Sequence, residues 1–326
     1  MKTIFFLILG ILTFAEPPPL PNGDVRSEND QALMMSADLL YWTAKQDGLA
    51  YARDGVTVFQ SGADVAKKAE TQFPGDDWNA GFRVGIGLNL DHDDWGALLQ
   101  FTRFTTDESS AHSGQLGPTW EIAGLQGVPN GNRNVNIEFQ NASADWSLIF
   151  NTITLELGRN LHPAPYLIFR PHIGLAATWF KQTYETTYTN FVNLPGFTEL
   201  NLNSDQNSWG IGMRSGFQST WFFNDFWGFY GNGAIAALWT RFCTVRRDTA
   251  TQTNTDTIQP IYNRTDFHTV KPYIDLSLGL RFIHATTSTH LAFSIGWEQQ
   301  VFINQNASKP GDLITQGLTS HFIINF

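Results

Sequence analysis

The stretch Trp78 to Leu90 constrains the fold more than any other. Trp78, Ala80, Phe82, Val84, Ile86, Leu88 and Leu90 occupy alternate positions without a break, against Asn79, Gly81, Arg83, Gly85, Gly87 and Asn89. A helix would scatter these side chains around its axis. A strand, with its period of two, puts seven apolar residues on one face and glycine, asparagine and arginine on the other. Asp91-His92-Asp93-Asp94 reads as a tight turn, and Trp95, Ala97, Leu99 and Phe101 begin an answering strand, so the element is a hairpin.

The same alternation recurs at Leu33 to Ala44, Ala144 to Gly158, Tyr166 to Phe180, Trp209 to Trp221, Trp227 to Trp239, Ile274 to Phe282, Leu291 to Trp297 and Leu313 to Phe326. Between Ala144 and Gly158 the apolar phase changes from Trp146, Leu148 and Phe150 to Ile153, Leu155 and Leu157, which predicts a β-bulge near Asn151. Pro171 removes a ladder donor and predicts a bulge or a bound water beside it. In the last stretch Phe326, Ile324, Phe322 and Leu318 share a face. A soluble protein would leave that edge and the final ring exposed, whereas a barrel in lipid uses such a strand to close its wall.

Composition agrees with a barrel. The chain has 26 Phe, 11 Trp and 28 Gly but only 15% charged residues. No run of about 18 apolar residues follows the N-terminal segment, so no membrane helix is expected. The mean hydropathy of −0.20 is compatible with membrane strands, because every second residue of such a strand is polar. Residues 1–15 read as a signal peptide with one lysine and a short apolar core, residues 16–32 as a flexible periplasmic leader, and residues 33–326 as the barrel. The formal charge of −10 argues against nucleic acid or an anionic membrane surface as a partner. The single cysteine, Cys243, excludes an internal disulfide and is read as a small apolar residue or an intermolecular partner.

The connections alternate in length. Lys45 to Asp77, Thr105 to Ser143, Lys181 to Asn207, Cys243 to Thr269 and Asn304 to Asp312 are long, while Asp91 to Asp94, Arg159 to Pro165, Asn224 to Asp225 and His284 to Ser288 are short. Transmembrane barrels have short periplasmic turns and long outer loops. The fold class expected is therefore all-β, a single antiparallel transmembrane barrel of ten strands, or twelve if two pieces within Lys45 to Asp77 cross. Trp78, Trp95, Trp179, Trp209, Trp221, Trp227, Trp239, Trp297 and Phe326 are expected in the aromatic girdles.

Ala37-Asp38-Leu39-Leu40-Tyr41-Trp42, Phe82-Arg83-Val84-Gly85-Ile86-Gly87, Leu155-Glu156-Leu157-Gly158-Arg159 and Phe169-Arg170-Pro171-His172-Ile173-Gly174-Leu175 resemble the pore-forming family typified by the Legionella major outer membrane protein, also found in chlamydia-related bacteria. The resemblance implies an outer-membrane barrel with a pore, and favours an open narrow channel over a filled interior.

A charge on the lipid face near the midplane costs about 2–4 kcal/mol. Arg83, Arg170, Arg214 and Arg281 with Asp38, Glu156, Asp275 and Glu298 are therefore expected to line the lumen, where rings of charge set ion selectivity. Counting across the short turns sets Glu156 opposite Arg170, and Asp275 opposite Glu298, a like-charge pair that needs an arginine or a cation between them. Gly85-Ile86-Gly87 and Gly210-Ile211-Gly212 are read as lumen-facing glycines that widen the bore or admit a loop, not as nucleotide loops. No G-x-S-x-G or H-E-x-x-H occurs, and Asp91 to Asp94 fails the calcium-loop spacing, so no enzyme, metal or cofactor is expected. The function expected is passive diffusion of ions or small solutes. An adhesin acting through outer loops is the alternative, and a hydrolase using His112 or His268 is less favoured because neither has a nameable partner. Expected partners are outer-membrane lipid, the assembly machinery and small solutes, with a homo-oligomer left open.

Overall fold

The computed structural model describes residues 33–54, 70–90, 94–120, 138–192, 196–253, 255–285 and 290–325. The proposed signal peptide and leader, the Asp91-His92-Asp93 part of the first turn, the Val56 to Phe59 piece and Phe326 lie outside them. The strands are β1 (Leu33–Gln46), β2 (Ala52–Asp54), β3 (Glu70–Gln72), β4 (Asn79–Asn89), β5 (Trp95–Pro118), β6 (Phe139–Arg159), β7 (Leu161–Ala164), β8 (Leu167–Phe191), β9 (Phe197–Phe222), β10 (Trp227–Gln252), β11 (Thr255–Ala285), β12 (His290–Phe302) and β13 (Leu313–Asn325). Ten of them close a ring in the order β1-β4-β5-β6-β8-β9-β10-β11-β12-β13, every neighbouring pair antiparallel. Closure is made by β1 against β13, from Met34↔Asn325 to Gln46↔Leu313. β2, β3 and β7 lie outside the ring, so the barrel has ten strands and not twelve.

The outward face follows from the alternation. Leu39, Val84, Ile86, Leu155, Ile173, Leu175, Ile211, Met213, Ile235, Leu276 and Leu278 point away from the lumen and are exposed. Tryptophans bracket this apolar band. Trp78, Trp179, Trp209, Trp239 and Trp297 mark one edge, where Trp78 meets Trp297 and Trp209 meets Trp239 edge to face. Trp221 and Trp227 mark the other, packed on Phe229 and Phe282 respectively. On β9, Trp221 and Trp209 are twelve residues apart, roughly 30 Å of height for a tilted strand and close to the apolar thickness of a bilayer. Trp95 shares the outward face of β5 with Ala97 and Leu99 at the short-turn end, partly exposed and at the mouth of the cavity.

Of the five expected long loops, three are strand over most of their described residues. Thr105 to Ser143, Lys181 to Asn207 and Cys243 to Thr269 are largely absorbed into β5, β6, β8, β9, β10 and β11, which are 21 to 31 residues long, against 11 to 14 for β1, β4, β12 and β13. Their Thr, Asn and Ser content hid the strands, because the polar side chains point out to water where a membrane strand would point out to lipid. The barrel is thus lopsided. Six strands rise as a tall curved sheet, while four stop near the tryptophan edge.

The interior changes character with height, and this explains the phase change in β6. No register shift occurs at Asn151; β6 pairs continuously with β5 from Arg159 to Asn141. Trp146, Leu148 and Phe150 point inward into an apolar upper lumen, and Thr152, Thr154 and Glu156 point inward into a polar lower one. The predicted bulge is therefore replaced by a swap of the apolar face. Pro171 lies where the β6 ladder ends at Gly158↔His172 and β7 begins at Leu161↔Phe169, so its missing donor falls in a gap between partners.

The bore is closed in its upper half. Phe150 from β6, Phe180 from β8, Tyr273 from β11 and Phe302 from β12 form one aromatic layer, with ring centroids 4.5 to 5.4 Å apart. Trp42 and Phe104 extend it at 5.7 Å. Above it, two segments from the low side fold into the tall sheet. The chain after β1 turns inward at Gly48, whose φ of +87° favours glycine, and buries Leu49 and Tyr51. Tyr184 Oη donates to Leu49 O at 2.9 Å and Tyr188 Oη to Tyr51 O at 2.7 Å. The connection between β12 and β13 crosses to β9, where Gln206 Nε2 donates to Gln305 O at 2.7 Å and Ala307 N donates to Gln206 Oε1 at 2.7 Å. The expectation of an open channel is corrected accordingly: the barrel is plugged.

The inward glycines do not admit these segments. A Cβ at Gly210 would stand 2.5 Å from Thr240 Oγ1, and one at Gly85 2.5 Å from Ser36 Oγ, so neighbouring strands fill the space. Tyr230 uses a larger gap of this kind. Gly279 and Gly296 face each other on β11 and β12, and the Tyr230 ring lies over both. Gly296→Val should therefore displace Tyr230 and lower stability by about 1–3 kcal/mol. Denaturant unfolding followed by tryptophan fluorescence should show that Tyr230→Ala, harmful alone, recovers part of the loss in the Gly296→Val background. In the aromatic layer, Phe302→Ala should cost about 3–5 kcal/mol by the same measurement.

Candidate functional site

Below the aromatic layer the lumen is a cavity of about 900 Å³ that opens at the short-turn end. All eight charged residues expected to line the lumen border it: Asp38, Arg83, Glu156, Arg170, Arg214, Asp275, Arg281 and Glu298. Their strands deliver them by parity alone. Each projects from the face opposite the lipid-facing residues of its own strand, which is the only place a charge can be solvated or paired at membrane depth.

Most of these charges fall into two networks. On the low side, Arg83 Nη1 meets Asp38 Oδ2 at 3.1 Å and Arg83 Nη2 meets Glu298 Oε1 at 2.5 Å. Thr102 Oγ1 accepts from Arg83 Nε at 3.0 Å, and the guanidinium carbon stands 5.9 Å from the centre of the Trp42 ring. His321 pairs with the other oxygen of Asp38. Glu298 also accepts from Gln300 Nε2 at 3.0 Å and Thr319 Oγ1 at 3.1 Å, and Trp42 Nε1 donates to Thr319 Oγ1 at 3.0 Å. One arginine therefore neutralises carboxylates from β1 and β12.

On the tall side, Arg214 of β9 pairs with Glu156 of β6 and, at 2.9 Å, with Asp275 of β11. Tyr273 Oη donates to Asp275 at 3.1 Å. Arg214 Nη1 contacts His172 Nε2 at 3.2 Å. Arg170 reaches Glu156 at 3.7 Å and donates to Gly96 O at 3.0 Å, lying over Gly158, where a Cβ would come within 2.7 Å of its guanidinium carbon. Arg281 differs from the other three. Among the described residues it meets no carboxylate within 4.0 Å; it donates to Ser294 and Thr220 hydroxyls at 3.0 Å each and faces the Tyr230 ring.

Both counted pairings need correction. Glu156 stands opposite Gly174, not Arg170, and the two meet because Arg170 stretches along the wall. Asp275 stands opposite Gln300 and Glu298 opposite Ser277, so the like-charge pair does not form. The counts failed because β7 carries the first hairpin on to a tip at Pro165–Tyr166, beyond the centre assumed for the turn, and because β11 and β12 are offset by two residues from equal counting. An arginine does join each acid, as the charge argument requires.

Sequence reasoning passed over His172, His321, Tyr230 and Tyr273. Strand parity places all four inward, and His172 was visible on the polar face of its strand. What parity does not supply is which inward residues lie at the height of the charges. Cys243 faces outward beside Trp209, away from the cavity. Asp94 adopts a positive φ of 59° in its turn, and its carbonyl accepts from Asn160 N at 3.0 Å, in keeping with a turn role. His112 contacts Asp54 at 3.3 Å on the tall side, and His268 stacks on Trp239 at 4.8 Å, so neither enters the charged cavity.

No curated protein matches. Among solved structures, the outer membrane protease OmpT from Escherichia coli is 10% identical, with 90% of this chain and 96% of that chain covered and a TM-score of 0.41. A major outer membrane protein from Thermus thermophilus is 10% identical, with 91% and 100% covered and a TM-score of 0.30. A Pseudomonas aeruginosa FadL homologue is 8% identical, with 91% and 90% covered and a TM-score of 0.24. The profile of the family described as Legionella pneumophila major outer membrane protein precursor matches residues 26–322. The chain belongs to that family and is a bacterial outer-membrane β-barrel.

Proposed function

We propose that this barrel is a gated channel for ions or small solutes, described here with its outer side shut. One observation carries the reading: a cavity lined by four arginines and four carboxylates runs from the short-turn end to an aromatic ceiling, and stops there. A barrel serving only as a rigid support has no need of so wide a charged interior, since a ten-stranded bore can be largely filled by side chains.

The closure above the ceiling is suited to move, while the ceiling itself, made of side chains on ring strands, opens only as those aromatic rings swing aside. Above it the closure consists of the segment 47–53 and the connection 303–312, neither of which belongs to the ring ladder. Asp47 N donates to Asp312 O at 2.9 Å, and Gln46 Nε2 donates to Gly311 O at 3.2 Å, so the two segments move as a unit. Their latch to the tall sheet includes Lys309, which donates to Thr119 O at 2.9 Å and stands 4.3 Å from the centre of the Trp120 ring, itself stacked on Tyr184 at 5.2 Å. Withdrawing this unit breaks side-chain contacts, the short β2 pairing with β5 and a few backbone hydrogen bonds such as Ile303 N to Pro272 O, and leaves every ladder of the ring intact.

Planar-bilayer recording of the purified barrel tests the proposal. The wild type should be closed most of the time. Lys309→Ala removes a cation–π contact of about 1–2 kcal/mol and should raise the open fraction roughly five- to thirty-fold. Removal of residues 305–310 should raise the open fraction further, with the aromatic layer as the remaining barrier. No conductance in either variant would refute the channel.

In the open state the four arginines and four carboxylates nearly cancel, so selectivity should be weak. Arg83→Glu changes the lumen charge by two and should shift the reversal potential in a salt gradient toward cation preference. Arg247→Glu on the outer wall should not.

One observation favours a second reading, an interaction barrel. On β11, Tyr262 and Val270 are 61% and 62% exposed, and this upper part of the strand pairs only with β10. Loss of cell or partner adhesion on shortening the β10–β11 hairpin, with conductance unchanged, would support it.

A further inference from the structure

A second concave site lies on the outside of the barrel, just above the tryptophan edge of the tall side. It encloses about 480 Å³ and is bordered by Ile149, Asn151, Trp179, Lys181, Trp209 and Arg241, with Cys243 at its rim. Strand register builds it. Arg103↔Asn151, Asn151↔Trp179, Trp179↔Trp209 and Trp209↔Arg241 form one continuous row across five strands, and Ile149↔Lys181 and Lys181↔Asn207 lie in the next row up. All of these side chains point away from the lumen.

We propose that this groove binds the phosphate of an anionic lipid headgroup in the leaflet on the tall side, with Lys181 of the groove as the phosphate ligand and Arg103, beyond the lining at the β5 end of the tryptophan row, as the second cation. The charge sequence along β8 supports this. Its outward residues read Leu175, Ala177, Trp179, Lys181, Thr183 and Glu185, which is apolar, then aromatic, then cationic, then neutral, then acidic. Trp179 and Trp209 mark the depth at which hydrocarbon gives way to headgroup. Lys181 stands one row above, about 7 Å further along the strand, at the depth of a lipid phosphate.

Lys181 in the groove and Arg103 beside it are free to take an anion. Lys181 is exposed and, among the described residues, has no hydrogen bond or ion pair. Arg103 is exposed and donates only to Asn151 Oδ1, at 3.2 Å. By contrast Arg241 is already neutralised by Asp266, with contacts of 3.0 and 2.5 Å, and forms a wall of the groove. An unpaired ammonium beside two exposed indoles in a concave site suits a headgroup phosphate, which a lysine holds as a point charge and an arginine holds through paired N–H groups.

The carboxylates fix the depth. Asp145 and Glu185 face each other directly, two rows above Lys181, and Glu185 accepts from Asn203 at 2.5 Å. Asp205 lies one row above the groove and is occupied by Arg247 at 3.3 Å. A phosphate raised toward these acids would be repelled, and one lowered past Trp179 would enter hydrocarbon. Basic pockets at the membrane boundary recognise lipid phosphates in this way.

Native mass spectrometry of the folded barrel in neutral detergent tests the proposal, using diphosphoryl lipid A as probe and the same lipid stripped of phosphate as control. The wild type should retain lipid A at least tenfold more tightly than the stripped lipid. Lys181→Ala/Arg103→Ala should lose that tenfold preference, as should Lys181→Glu/Arg103→Glu, while Lys181→Arg should keep it. Excess inorganic phosphate should fail to displace the lipid, since the indoles and apolar wall hold the acyl and sugar portions. Equal binding of the stripped lipid, wild-type binding by the alanine pair, or displacement by inorganic phosphate would each overturn the proposal. The alanine pair adds no charge to the wall and so decides the matter even if the glutamate pair fails to fold.

Discussion

Everything in this molecule depends on the absence of hydrogen-bonding solvent in the hydrocarbon layer. Each backbone N–H and C=O at that depth must find a partner within the protein, and a sheet can satisfy this only by joining its two edges. Here the join is β1 to β13, which bring together the two ends of the described chain. Once the ring is closed, every side chain has two directions available. The outward one accepts apolar residues and girdle aromatics, and the inward one receives whatever charge the strands carry. The gathering of eight charged residues in one cavity follows from this binary choice, with no dedicated motif.

The unequal strand heights add a second constraint. A tall curved sheet above the membrane has an inner face with nothing opposite it, and an apolar face cannot be left to water. Trp146, Leu148, Tyr184, Tyr188, Leu200 and Leu202 are buried there because the two segments from the low side fold over to meet them. The plug is therefore the hydrophobic core that a membrane barrel otherwise lacks. Its apolar burial competes directly with conduction, which is why opening must expose part of this core or move it as a unit.

How much of this could be read in the sequence depended on where the alternation was one-sided. At membrane depth, Trp78 to Leu90 and Ile274 to Phe282 announce their strands because lipid demands apolar residues on one face. Above it, Lys181 to Asn207 and Cys243 to Thr269 are still strands, but their outward face meets water, so the period-two contrast weakens and the segments read as loops. The change at Phe150 was visible and its cause was not: an inward apolar run and a bulge give the same sequence signature. Lumen-facing charges were legible one strand at a time. Their pairing was not, since it depends on register, and the hairpin tips after β7 and between β11 and β12 lie beyond the centres that counting assumes.

The low-side network has a bearing on how the molecule is made. Asp38, Arg83, Glu298 and His321 come from β1, β4, β12 and β13, so the contacts join residues separated by as many as 283 positions. Contacts of such separation form late, because the intervening chain must first be ordered. The tall-side network, built on β6, β8, β9 and β11, needs no seam and can form while the ring is still open. Until the seam zips, Glu298 on β12 lacks Arg83, and Asp38 on the free edge of β1 has Arg83 opposite it but lacks His321 of β13. Arg83 thus serves as a proofreading bolt, holding the seam firmly only when first and last strands meet in the correct stagger.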